Sequence, residues 1–243
     1  MDQPTRKQRR ESRRQEKMEK REQERSKKNR ARVVFWAVAF LVIVGTVFGM
    51  VKLASRAPNG GSDKSIASTI TEADQVKGNR SASTTLIEFS DFQCPACASY
   101  APMVKRVAEE FGNQLAIAYR HFPLPQHKNA PLAAQAAEAA GKQGKFWEMH
   151  DKIFANQREW AESSNARAAF TRYAEFLGLN MEKFNADIDS QEIKNKIDSD
   201  YESGQRIGIG GTPTFFLDGQ HIQNPRNYES FKSLITDAID KNS

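Results

Sequence analysis

Cysteine is nearly absent from this 243-residue chain: there are two, Cys94 and Cys97, separated only by Pro95 and Ala96. That scarcity excludes a multi-disulfide framework and a zinc site built from four thiolates. A bridge between the two closes a loop too short to stabilise the fold much, because loop-closure stabilisation grows with loop length. Chemistry is the better reason for the pair. Internal repeats are also lacking. So is any basic excess beyond the start of the chain: residues 1–32 hold fourteen Lys/Arg against six Asp/Glu, and the remaining 22 basic and 24 acidic residues leave a net charge of −2. The overall charge of +6 therefore belongs to the tail, and no basic stripe for nucleic acid is predicted in the folded part.

One long apolar run is present. Residues 33–51, VVFWAVAFLVIVGTVFGMV, carry no charge between Arg32 and Lys52, and nineteen residues at helical rise span roughly 28 Å, close to a bilayer core. The run is longer than the apolar region of a cleavable signal and is preceded by 32 residues. It predicts a transmembrane helix over 33–53, with the basic tail 1–32 retained in the cytoplasm and the rest exported. A Ser/Gly/Asn-rich segment with the breaker Pro58-Asn59-Gly60-Gly61 reads as a tether over 54–71, ahead of a domain over 72–243.

Within that domain, 84–89 is β-branched and apolar and runs into Cys94-Pro95, where proline suits the first position of a helix. The helix is predicted to stop at Gly112-Asn113 and a second strand to cover 115–119, a βαβ unit whose crossover sets the helix N-terminus at the carboxyl end of the first strand. From about 128 to 206 the pattern is helical, with helices expected over 131–140, 146–154, 166–177 and 181–201. A strand over 214–217, the hairpin pair Asp218-Gly219, another strand and a final amphipathic helix over 228–239 follow.

A Cys-x-x-Cys pair at a helix start has a physical merit: unpaired amides and the helix dipole favour the thiolate of the first cysteine. Cys94 is then the nucleophile and Cys97, one turn on, its resolving partner. Taken alone the motif also fits half of a zinc site or an inert disulfide. Zinc needs four ligands, and His121, His127, His150 and His221 have no close spacing to the cysteines. No metal or cofactor is expected.

The chain resembles the DsbA-like thioredoxin-fold proteins in EFSDFQCPAC (88–97), YRHFPLP (119–125), AAQAAEAAGKQGKFWEMHD (133–151) and GIGGTPTFFLDG (208–219). The resemblance implies an α/β thioredoxin-like fold, βαβ … ββα, with an inserted helical subdomain. It implies that Pro213 is a cis-proline facing the cysteines with Thr212 before it, that a substrate peptide lies against this loop, and that Glu88 is a buried acid beneath the site. Such a carboxyl would take the proton of Cys97 during resolution. The implied activity is thiol–disulfide exchange outside the cytoplasm, as an oxidase of exported proteins that a separate membrane protein recycles. A reductase or isomerase, and a thiol-retaining peptide or metal chaperone, remain open alternatives. The spacer Pro95-Ala96 departs from the best-known oxidases in having no histidine or other polar group. The aromatics Phe92, Tyr100, Phe122, Phe146 and Trp147 are candidates for a peptide groove, with Phe146 and Trp147 assigned to the core.

Overall fold

The computed structural model describes residues 65–243, so the basic tail, the apolar segment 33–53 and the first part of the tether lie outside the described residues. Among the described residues no helix is long and apolar enough to cross a membrane. Two strands form the centre: β2 (Thr84–Ser90), with six of seven residues buried, and β3 (Leu115–His121), with all seven buried. Strands covered on both faces read as continuous apolar runs rather than alternating ones, which is why both are visible in the sequence. They pair in parallel through the crossover helix α1 (Pro95–Phe111). The full sheet order is β1-β3-β2-β4-β5, with β1 (Gln75–Gly78), β4 (Thr214–Leu217) and β5 (Gln220–Ile222) all antiparallel to their neighbours.

Each sheet face has its own core. Leu86, Ile117 and Phe215 meet Val104 and Val107 of α1 and Phe231 and Ile235 of α8 (Tyr228–Asn242). Ile87, Phe89, Ala118 and Phe216 pack on the opposite face with Phe122 and Ala67. The tight turn into β5 uses Asp218 (φ 48°) and Gly219 (φ 78°), the left-handed pair that a two-residue hairpin requires.

The helical insertion comprises α2 (Ala130–Gly141), α3 (Phe146–Ala155), α4 (Gln157–Trp160), α5 (Ala166–Phe176), α6 (Met181–Ile188) and α7 (Gln191–Arg206). Two features depart from the sequence expectation. The helix expected over 181–201 is broken at Asp189-Ser190, where the Ser190 hydroxyl accepts the Ile193 N–H and caps a new helix. The short α4 was not anticipated. Trp160, Phe170 and Phe184 of the insertion share one buried cluster with Phe92, Cys94 and Cys97, so the cysteines belong to the core of the insertion as much as to the sheet.

Residues 66–70, assigned to the tether from composition, lie packed against the sheet. Ala67 is buried, and the Arg120 guanidinium of β3 donates to the carbonyls of Ile66 and Thr69. Arg120 also forms two 2.8 Å bonds to Asp74, both residues being buried. These bonds outweigh the burial that would raise Asp74, and its carboxyl sits below the usual carboxylate range.

Candidate active site

The carboxyl end of β2 leads through Asp91, Phe92 and Gln93 to Cys94, the N-cap of α1, with Pro95 at the first helical position. Cys94 is extended (φ −70°, ψ 122°), its N–H donates to Asp91 O at 3.1 Å, and no side chain caps the helix. The amides of Ala96 and Cys97 are thereby left to face the Cys94 sulfur, and no acidic residue in the first turn opposes a negative charge there. Both cysteines are free thiols. Cys94 is 7% exposed and Cys97 fully buried, whereas Pro95 and Ala96 between them are exposed.

The strand β4 pairs with β2 so that Phe215 faces Glu88 and Thr214 faces Phe89. That register carries the preceding residues to the cysteines: the Cys94 thiol donates to Thr212 O at 3.4 Å, and the Thr212–Pro213 peptide is cis. On the approach to this loop, Gly210 and Gly211 have open space where a side chain would start, leaving room for another backbone to come close.

The two thiols are strongly unequal. The Cys97 thiol, followed by the Thr212 side chain and the amides of Cys97 and Ala96, pulls Cys94 from an ordinary 9.0 to about 5 against its own burial. Burial, first, then the hydrogen bond to Cys94 and the field of Glu88 push Cys97 far up. Near neutral pH the pair is a thiolate at Cys94 beside a neutral Cys97. Glu88, 2% exposed, is pushed up to about 7 by burial, with the Ser90 hydroxyl acting in the opposite direction. Directly across the β2–β3 ladder from Glu88, the Tyr119 hydroxyl is buried without a hydrogen-bond partner.

The turn 91–94 is held by side chains that no motif in the sequence singles out. The Asp91 carboxylate accepts from Gln93 N (2.7 Å) and Leu124 N (2.8 Å) and bonds His127 Nδ1 (2.7 Å). Gln93 reaches into the insertion, donating to Ala161 O and accepting from Asn129 N, each at 2.7 Å. Gln157 donates to the carbonyls of Phe92 (2.8 Å) and Cys94 (3.0 Å). An aspartate directly after a strand and before a helix was the available signal for the first of these; the others join residues more than thirty positions apart.

Of the aromatics considered for a groove, Phe92, Phe122 and Phe146 are buried, with Phe92 stacked on Tyr119 at 5.2 Å. Trp147 and Tyr100 are partly buried, and the Tyr100 hydroxyl donates to Pro225 O. His121 and His150 are core residues paired with Glu138 and Asp151, and His221 is exposed. Among the described residues no group of three or more His, Cys, Asp or Glu side chains is placed to share a metal ion. An open groove of about 600 Å³ runs beside the start of α1, walled by Pro95, Ala98, Ser99, Phe154 and Gln157.

Residues 70–237 match the profile of the family described as thioredoxin. A thioredoxin-like oxidoreductase from Silicibacter pomeroyi superposes with a TM-score of 0.59 at 25% identity, over 74% of this chain and 95% of that one. Wolbachia pipientis alpha-DsbA1 gives 0.65 at 20% identity, over 74% of this chain and 97% of its own, a likeness of fold. The Na(+)/H(+) antiporter NhaA 3 of Salinispora tropica is 35% identical over 169 residues, which make up 69% of this chain and 25% of the antiporter. The chain thus spans about a quarter of the length of the curated relatives it matches.

Proposed function

We propose that this chain, which belongs to the thioredoxin family matched over residues 70–237, is an extracytoplasmic protein thiol–disulfide oxidoreductase that donates a Cys94–Cys97 disulfide to exported proteins. The observation that carries this reading is the placement of the Cys94 sulfur at the start of α1, 3.4 Å from Thr212 O beside the cis Thr212–Pro213 peptide, a setting that draws its pKa down to about 5. Stabilising the thiolate stabilises the reduced enzyme, which makes the disulfide a better oxidant.

In the forward reaction a substrate thiolate attacks Cys94 Sγ and the Cys94–Cys97 bond breaks. Cys97 leaves with the electron pair and takes a proton, for which the nearby protonated Glu88 is the donor. A second substrate thiol, deprotonated, attacks its partner sulfur in the mixed disulfide and releases Cys94 as thiolate. The substrate loses two electrons and two protons: the electrons end on Cys94 as a thiolate and Cys97 as a thiol, one proton restores Glu88 and the other leaves to solvent. The loop at Thr212 and Pro213, bordered by Gly210 and Gly211, is where the substrate backbone lies. With only two cysteines there is no internal relay, so a separate membrane oxidant must restore the disulfide. Residues 33–53 anchor the enzyme, with 1–32 inside and the domain outside.

Equilibration of the full chain with glutathione redox buffers tests the direction. A potential more oxidising than that of glutathione is expected, and a more reducing one removes the oxidase assignment. The reductase or isomerase reading draws on one observation: the exposed spacer Pro95-Ala96 adds no polar group, so the thiolate relies on Cys97, Thr212 and backbone amides.

A further inference from the structure

Gln157 opens α4, a four-residue helix of the insertion, yet its side chain ends at the nucleophile's turn. One nitrogen, Nε2, stands 2.8 Å from Phe92 O and 3.0 Å from Cys94 O. Only an NH2 group can donate to two carbonyls at once, so the chemistry fixes which end of the amide faces the turn. The two carbonyls bracket Gln93, and that residue is tied to the insertion through its own side chain by Ala161 O and Asn129 N. Cys94 O is also the carbonyl that receives Ala98 N at 3.1 Å, at the start of α1. Gln157 therefore grips the peptide from which the helix begins, and the Ala96 and Cys97 amides that face the Cys94 sulfur follow directly from it. Its N–H dipoles also offset two carbonyl dipoles close to the site of negative charge.

We propose that Gln157 is a positioning residue for the nucleophile: its amide fixes the 92–94 backbone so that α1 presents its first amides to Cys94, and the helical insertion thereby sets the redox poise of the cysteine pair. This rests on the reading of Cys94 as the exchanging thiolate. A purely structural staple would alter unfolding and leave the sulfur chemistry alone, whereas a positioning role alters the sulfur in a folded protein.

The test uses the full chain carrying Gln157→Ala or Gln157→Lys. A control, Gln143→Ala, removes two side-chain-to-backbone hydrogen bonds elsewhere in the insertion, one donated to Asn180 O and one accepted from Asn180 N. Thiolate absorbance is followed against pH, with thermal unfolding and the glutathione equilibrium in parallel. In Gln157→Ala the acid dissociation constant of Cys94 should fall about fivefold, the equivalent of one neutral hydrogen bond, and the disulfide should become less oxidising. Gln157→Lys keeps donors for both carbonyls and adds positive charge, so its constant should stay at or above the wild-type value, which also covers an unstable alanine variant. Gln143→Ala should leave the constant unchanged. An unchanged constant in Gln157→Ala, an equal fall in the control, or a fall in the lysine variant overturns the proposal. Failure of the wild-type protein to exchange with glutathione at all would instead remove the functional reading beneath it.

Discussion

Replacing Glu88 by glutamine should make the protein more stable at neutral pH and no more stable in acid. The carboxyl is 2% exposed and burial raises it from 4.5 to about 7. An acid raised in the folded state costs nothing below its unfolded value. The cost then grows as pH climbs from about 4.5 to 7, because the unfolded chain ionises while the folded one resists, and it levels off above 7. At about 1.36 kcal/mol per unit, the wild-type protein gives up about 3 kcal/mol by pH 7. Glutamine keeps the volume and carries no titration, and the neighbouring hydroxyls of Ser90 and Tyr119 can accept from its new NH2. Urea unfolding of the disulfide forms, in which no thiol titrates, isolates the effect. The advantage of Glu88→Gln over wild type should widen by about 3 kcal/mol between pH 4 and pH 8. A difference that stays constant over that range would refute the assignment of Glu88 as a buried, proton-holding acid.

Alkylation of the reduced protein should titrate with a midpoint near pH 5 and label Cys94 alone, as peptide mapping would read; a midpoint near 9 contradicts the thiolate. Tyr119→Phe deletes a buried hydroxyl with no partner, so its unfolding free energy should be unchanged or higher; a loss of more than about 1 kcal/mol would show that the hydroxyl is bonded. Asp74→Ala leaves the Arg120 charge buried without its carboxylate and should cost about 3–5 kcal/mol in denaturant unfolding, while the Cys94 midpoint stays where it is; a small cost would show that the N-terminal segment is not held by this pair.

The central βαβ unit was readable because its two strands are continuous apolar runs and Cys94-Pro95 marks a helix start. The edge strand β1 was not: Gln75, Val76, Lys77 and Gly78 are mostly polar and join the sheet by backbone pairing with β3. The break at Ser190 carried a legible capping signal, but the apolar period across 181–201 hid it. At the site, Cys94 and Cys97 followed from the motif. The burial of Glu88 came only with the family resemblance, since β2 is buried on both faces and alternation assigns no side. Gln157 was out of reach for a different reason, standing 63 residues from Cys94 on a helix too short to show periodicity.

A nucleophilic Cys94 must form covalent intermediates with other proteins. In the full chain carrying Cys97→Ala and exported by a living bacterium, the mixed disulfide at Cys94 cannot be resolved from within. Non-reducing gels should then show adducts that collapse on reduction, that disappear in the Cys94→Ala, Cys97→Ala double variant, and whose partners are exported proteins with cysteines. An absence of adducts, with Cys94 still a free thiol, would contradict the account.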